Sequence, residues 1–371
     1  MKNLLKFAVV LLFCALGIAH ADETKTLRKT ENVIFVMTDG LRWQEVFTGA
    51  DKSLLNKKHG GIDNMPSFEK TFWRDSPEAR RETVLPFVWN TMAKQGQIFG
   101  NRNQKSEMHV TNGLKFSYPG YNETLCGFPD PRIDRNEYPP NPNINVLEWL
   151  GRKPTLQGRV AAFAAWDAFD RILNRDRCGF FVNAGFSPMP EDEAKPQLQL
   201  LNRLKAEIPR QWGEEPVDAL TFYSAIEYFK EHKPRVFYLS LGETDEWGHA
   251  GRYDEYLTSA KRADYYLKTL WELSQSMPQY QGKTTLLFAA DHGRGGGLDA
   301  WKDHGKDVEG AEFTWLAVMG PDTPALGERK NIAAIKQGQI AATVAAFLGE
   351  EFCTDVPKAA KPIDEVLPLK Q

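Results

Sequence analysis

The stretch from Thr284 to His304 reads TTLLFAADHGRGGGLDAWKDH. Its first part is a continuous apolar run, the pattern of a strand buried on both faces of a parallel sheet. The run stops abruptly at Asp291-His292 and then turns through glycines. A buried strand that delivers a carboxylate and an imidazole to a sheet edge offers ligands for a metal ion.

Two further runs share this design. Asn32 to Thr38 (NVIFVMT) leads into Asp39-Gly40, and Val236 to Leu241 (VFYLSL) leads into Glu243, Asp245 and Glu246. Acids at the carboxyl ends of central strands point into the crevice where open α/β sheets bind ligands. Between and around these runs the periodicity predicts helices over Glu82 to Gln95 and Tyr253 to Ser276, with a closing helix over Ile332 to Leu348. Shorter strands are expected at Gln97 to Asn101, Met108 to Thr111, Arg159 to Trp166, Phe180 to Val182 and Glu312 to Met319. The βαβα alternation predicts an α/β fold, a three-layer αβα sandwich with a mostly parallel central sheet. No internal repeat or low-complexity tract interrupts it. The segment 112–220 is expected to contain a cap or insertion.

The amino terminus reads as a cleavable leader: Lys2 and Lys6, an apolar run from Leu4 to Ile18, then Ala19-His20-Ala21. Cleavage after Ala21 gives a periplasmic or secreted protein, residues 22–371, with no membrane attachment once the leader is gone. A mature chain of that length is long enough for one large α/β domain with a deep core or for two smaller domains. A net charge of -3 argues against a nucleic-acid-binding surface. Three cysteines, Cys126, Cys178 and Cys353, follow the leader, and Cys126 with Cys178 is the expected disulfide of an exported protein. None forms a CxxC pair, which argues against a zinc-thiolate site.

Of the seven histidines, three stand beside acids at predicted strand ends. His249 follows Asp245 by four residues, His292 follows Asp291 directly, and His304 follows Asp303. The Asp245/His249 spacing suits one helical face, although Gly248 suggests a turn. Either pair alone is a common chance match, but both together with Asp39 and His304 form a ligand set. In SYPGYNETLCG, Ser117 precedes Pro119 ahead of a short helix ending near Gly127. A hydroxyl there sits where backbone N–H groups stabilise anions, and helix capping alone would also explain a serine.

Taken together these residues resemble the alkaline phosphatase superfamily, in the branch of type I phosphodiesterases and nucleotide pyrophosphatases. The resemblance runs from Val33 to His304 and into the closing IAATVAAFLG. It implies one metal held by Asp39, Ser117, Asp291 and His292, and a second held by Asp245, His249 and His304. Ser117 is then the nucleophile. A phosphate-contacting asparagine should fall within Asp134 to Asn145, with Asn136 the choice over Asn141 and Asn143. Three carboxylates and three imidazoles suit two zinc ions, and manganese is compatible by ligand type.

Three departures stand out. The His292 to His304 spacing is short for phosphodiesterases. Tyr121 stands where sulfatases carry an arginine, and Ser117 is not the cysteine that sulfatases oxidise. Arg294 offers either a phosphate contact or a structural ion pair. The expected function is an exported two-metal phosphatase or phosphodiesterase acting on a small-molecule phosphate ester through a phosphoryl-serine. The alternatives are a sulfatase or phosphonate hydrolase, or a non-catalytic metal-stabilised binding protein.

Overall fold

The computed structural model describes residues 28–190 and 195–368, so the leader expected at 1–21 lies outside the described residues. The strands in chain order are β1 (Asn32–Thr38), β2 (Gly96–Phe99), β3 (Met108–His109), β4 (Val160–Ala164), β5 (Phe181–Ala184), β6 (Val236–Leu241), β7 (Thr284–Ala290), β8 (Leu316–Met319), β9 (Gly327–Glu328) and β10 (Ile335–Lys336). Eight of them form one sheet in the order β5-β4-β6-β1-β7-β8-β2-β9. The first five in that order run parallel, while β8 is antiparallel to both β7 and β2. This is the mostly parallel sheet that the apolar runs predict.

Side chains alternate across it. Ile34 and Val36 of β1 face one core layer, with Phe237 and Leu239 of β6 and Leu286 and Phe288 of β7. That layer is closed by the helices Pro77–Val84, Asp218–His232 and Tyr253–Gln275. Val33, Phe35 and Met37 face the other layer, closed by the helices Ser117–Cys126, Val146–Gly151 and Gln339–Phe347. Strands sealed on both faces lose the inside/outside alternation and read as continuous apolar sequence. The three-layer sandwich follows.

The register aligns the strand ends. Thr38 pairs with Leu241 on one side and with Ala290 on the other. Asp39, Gly242 and Asp291 therefore leave the sheet at one level.

Some local expectations change. The closing helix starts at Gln339 rather than Ile332, because Ile335–Lys336 is drawn into pairing with Met108–His109. Gly248 does not make a turn: Glu243–His249 is helical. All three cysteines are free, so the expected Cys126–Cys178 disulfide is absent. Cys126 lies beside the Asn141 amide, and the Cys178 thiol donates to the carbonyls of Arg175 and Phe180. The segment 112–220 supplies β4, β5 and the helix Ser117–Cys126 to the body of the sheet. Among the described residues no helix is long and apolar enough to cross a membrane.

One buried charge ties this segment down. Lys205, on the helix Pro196–Glu207, donates to Asn183 Oδ1 and the Ser187 carbonyl, both at 2.9 Å. Its partners are neutral, and burial lowers its ammonium to about 8. Between that value and the ordinary lysine range the unfolded chain holds a proton that the folded chain has released, so this site's contribution to stability grows as pH rises. In urea titrations the stability of wild type relative to Lys205→Met should improve by about 3 kcal/mol from pH 8 to 10.5. A difference that stays flat with pH would show that Lys205 is not the titrating group.

Candidate metal centre

Seven side chains meet at the carboxyl ends of β1, β6 and β7. Asp39 follows β1 directly, and its N–H donates to the Leu241 carbonyl at 2.9 Å. Asp291 follows β7 and accepts the Gly40 N–H through Oδ1 at 3.1 Å. A Cβ on Gly40, which has φ +59°, would lie 2.5 Å from Asp245 Oδ1. The glycine lets β1 end this close to its neighbours.

His292 is fully buried and faces these acids. Its Nδ1 lies 2.8 Å from the Gly293 carbonyl, which leaves Nε2 as the free lone pair. Nε2 stands 3.1 Å from Asp39 Oδ1, 3.5 Å from Asp291 Oδ2 and 3.3 Å from Ser117 Oγ. Asp39 Oδ1 and Asp291 Oδ2 are buried with no hydrogen-bond partner. Buried carboxylate oxygens without partners are costly. Ligands of one tetrahedral zinc lie on the order of 3.3 Å apart, given bonds of about 2.0 to 2.2 Å. The spacing and the orphaned oxygens fit a divalent cation.

The second group sits beside the first. Asp245 and His249 occupy one face of the helix Glu243–His249, with Asp245 Oδ2 3.2 Å from His249 Nε2. His304 Nε2 lies 2.9 Å from His249 Nε2 and 3.6 Å from Asp245 Oδ1. Its Nδ1 approaches the Lys115 carbonyl at 3.3 Å, again leaving Nε2 for a ligand. His292 Nε2 is 3.9 Å from Asp245 Oδ1, so the two groups adjoin through this imidazole. One carboxylate with two imidazoles is a zinc donor set.

Protonation tracks this crowding. Burial pushes Asp291 well above the ordinary carboxyl range, and the Asp39 charge adds to it. Burial opposes protonation of His292, but Asp291 and Asp39 outweigh it and raise the imidazole to about 10. His304 moves down to about 2, through burial and the neighbouring His292. Burial also opposes ionisation of Asp245, yet Arg294 and His304 hold its carboxyl well below the usual range. Glu246, one residue on, rises to about 7 through burial and the Asp245 charge.

Ser117 begins the helix Ser117–Cys126, which ends in Gly127 with φ +86°. Gly120 brings that helix against β7, since a Cβ there would lie 2.6 Å from the Asp291 carbonyl. Tyr121, buried and held protonated by that burial, donates to Asp39 Oδ2 at 3.0 Å and accepts from Ser240 Oγ at 3.0 Å. Asn136 lines the cavity and accepts the Tyr118 N–H at 3.1 Å, whereas Asn141 and Asn143 bond to Asn122. Arg294 is fully buried: it donates to Asp245 Oδ1 and to the carbonyls of Trp301 and Lys302. It is a structural ion pair, and no face of it is left for substrate.

The cavity encloses about 290 Å³ and is lined by Asp39, Ser117, Asn136, Asp245, His249 and His304, together with Trp166, Glu215 and Glu246. Trp166 and Glu215 come from the segment 112–220, and nothing in their local sequence marks them.

No protein-family model and no curated protein matches the chain. Its fold is that of several solved structures. A mutant of the alkaline phosphatase PafA superimposes with a TM-score of 0.54 at 11% identity, over 92% of this chain and 99% of that one. The phosphonate monoester hydrolase SpPMH from Silicibacter pomeroyi gives 0.53 at 13% identity, over 92% and 78%. Ps i-CgsB, in complex with k-i-k-neocarrahexaose, gives 0.52 at 15% identity, over 90% and 75%.

The Tyr121 hydroxyl orients Asp39 from behind. Tyr121→Phe should weaken the binding of an added divalent cation by about tenfold, measured with zinc in competition with a fluorescent chelator. Unchanged affinity would remove Tyr121 from the support of that carboxylate.

Proposed function

We propose that residues 22–371 form an exported metal-dependent phosphohydrolase of the alkaline phosphatase superfamily, with Ser117 as its nucleophile. One observation carries the reading: two orphaned buried carboxylate oxygens, Asp39 Oδ1 and Asp291 Oδ2, face His292 Nε2, with Ser117 Oγ 3.3 Å from the same nitrogen. Asp39, Asp291 and His292 would hold one divalent cation beside Ser117, and Asp245, His249 and His304 a second, with zinc the best match to the donors. Bound there, such ions neutralise the phosphate and lower the pKa of the serine hydroxyl.

The residues then divide the work. Ser117 Oγ gives its proton to a solvent water and forms a bond to phosphorus as the ester P–O bond opposite it breaks. The alcohol oxygen leaves and is protonated from water. Water next attacks the phosphoryl-serine, the P–Oγ bond breaks, and the proton returns to Ser117 as inorganic phosphate departs. The Asn136 Oδ1 is engaged by Tyr118, so its NH₂ group is the donor available to a phosphate oxygen. Arg294 holds Asp245 in place, and Tyr121 holds Asp39. Cavity size suits a small phosphate ester, and the loops of 112–220 shape its wall.

The zinc-loaded protein should hydrolyse para-nitrophenyl phosphate or its bis ester. A chelator should abolish turnover and added zinc restore it. Ser117→Ala should lower kcat by about a thousandfold or more, while metal analysis still finds two zinc ions per chain. Wild type inert towards both esters at every zinc and manganese loading would refute the phosphohydrolase reading.

A further inference from the structure

Beyond the metal ligands, the cavity carries two carboxylates that the proposed chemistry leaves unused. Glu215 is 8% exposed, and its carboxylate has no hydrogen bond or ion pair among the described residues. Room for it is built into the backbone: a Cβ on Gly242 would lie 1.5 Å from Glu215 Oε1. Glu246 lines the same wall, and its carboxylate also has no partner among the described residues. The two are fastened together. The turn that carries Glu215 pairs Trp212 with Glu215, and Trp212 packs edge-to-face on Trp247, beside Glu246, at 5.1 Å. The nearby arginines are committed: Arg294 to Asp245, Arg262 to Glu243 and Arg210 to Glu214.

Two acid side chains without hydrogen-bond partners line one half-closed pocket, Glu215 kept above the ordinary carboxyl range by burial, and a cation seated between them would satisfy the oxygens of both. A further metal ion is the poorer candidate, because neither glutamate belongs to a set of three ligands compact enough to hold one among the described residues. A quaternary ammonium brings charge but no N–H donor for the buried Glu215 oxygens. A primary ammonium brings both, with three donors. Trp166 on the same wall adds an aromatic surface that attracts cations.

We propose that Glu215 and Glu246 form a leaving-group subsite for a primary ammonium, so that the substrates are phosphate monoesters of small amino alcohols. This rests on the phosphohydrolase reading above. The net reaction takes the ester and water to the free amino alcohol and inorganic phosphate, and no other reactant is required.

The test compares O-phosphoethanolamine with its neutral isostere n-propyl phosphate, and with phosphocholine, on the zinc-loaded full chain. We expect kcat/KM for the ethanolamine ester to exceed that for the propyl ester by about tenfold or more, with phosphocholine below the ethanolamine ester. Glu215→Gln and, separately, Glu246→Gln should bring the ethanolamine-to-propyl ratio towards one. A wild-type ratio near one, or a ratio kept in both variants, overturns the subsite. So does phosphocholine outperforming the ethanolamine ester. Calorimetric binding of the two esters to zinc-loaded Ser117→Ala needs no turnover and should show the same tenfold preference, and equal affinities also overturn it. Failure of the phosphohydrolase reading appears separately, as no hydrolysis of any ester.

Discussion

The molecule depends on holding like charges together out of water. Asp39 and Asp291 leave neighbouring strands at one level, Asp245 stands on the helix that follows β6, and Glu215 and Glu246 line the same cavity. Five carboxylates in so small a space would drive one another neutral or apart without compensation. Compensation comes from Arg294 on Asp245, from the His292 imidazole beside Asp39, and from the backbone N–H of Gly40 on Asp291. It is incomplete, since Asp39 Oδ1 and Asp291 Oδ2 keep no hydrogen-bond partner. The rise of His292 to about 10 expresses the same crowding of acids around one imidazole.

The surrounding packing serves that arrangement. Gly40 and Gly248 both stand where a side chain would strike Arg294, with built Cβ atoms 2.9 Å from its Nη1 and 2.7 Å from its Cζ. These glycines make the slot in which the guanidinium is buried. Gly120 allows the nucleophile's helix to touch the end of β7, and Gln337 ties that end further by donating to the Ala290 carbonyl and to Thr124. The short crossing from His292 to His304 is held by Arg294 itself, through its bonds to the Trp301 and Lys302 carbonyls. One arginine therefore positions a metal-ligand candidate and the loop that brings in another.

Much of the fold was legible because its central strands are sealed on both faces. Asn32–Thr38 and Val236–Leu241 coincide with their apolar runs, and Thr284–Ala290 fills the run that ends at Asp291. What misled was local sequence under tertiary control. Ile332 to Leu348 looks like one helix, but its first residues pair with β3. Gly248 looks like a turn residue, but it lies within the helix Glu243–His249, and it is glycine because Arg294 occupies the space a side chain would take. Cys126 and Cys178 look pairable, but each thiol is satisfied separately in the core.

The sequence by itself determined which strands end in acids and which histidines stand beside them, because those features are written within a few residues of one another, while the grouping of seven side chains into one site came from the family resemblance. The strand-end register, the role of Arg294, the Tyr121 hydroxyl behind Asp39 and the unpaired Glu215 were decided only by tertiary structure. Arg294 and Asp245 are 49 positions apart, and Tyr121 and Asp39 are 82. No local pattern encodes such a contact: it exists only once the strands have paired and the helices have closed over them, when burial turns an ordinary charged residue into one that must find a partner.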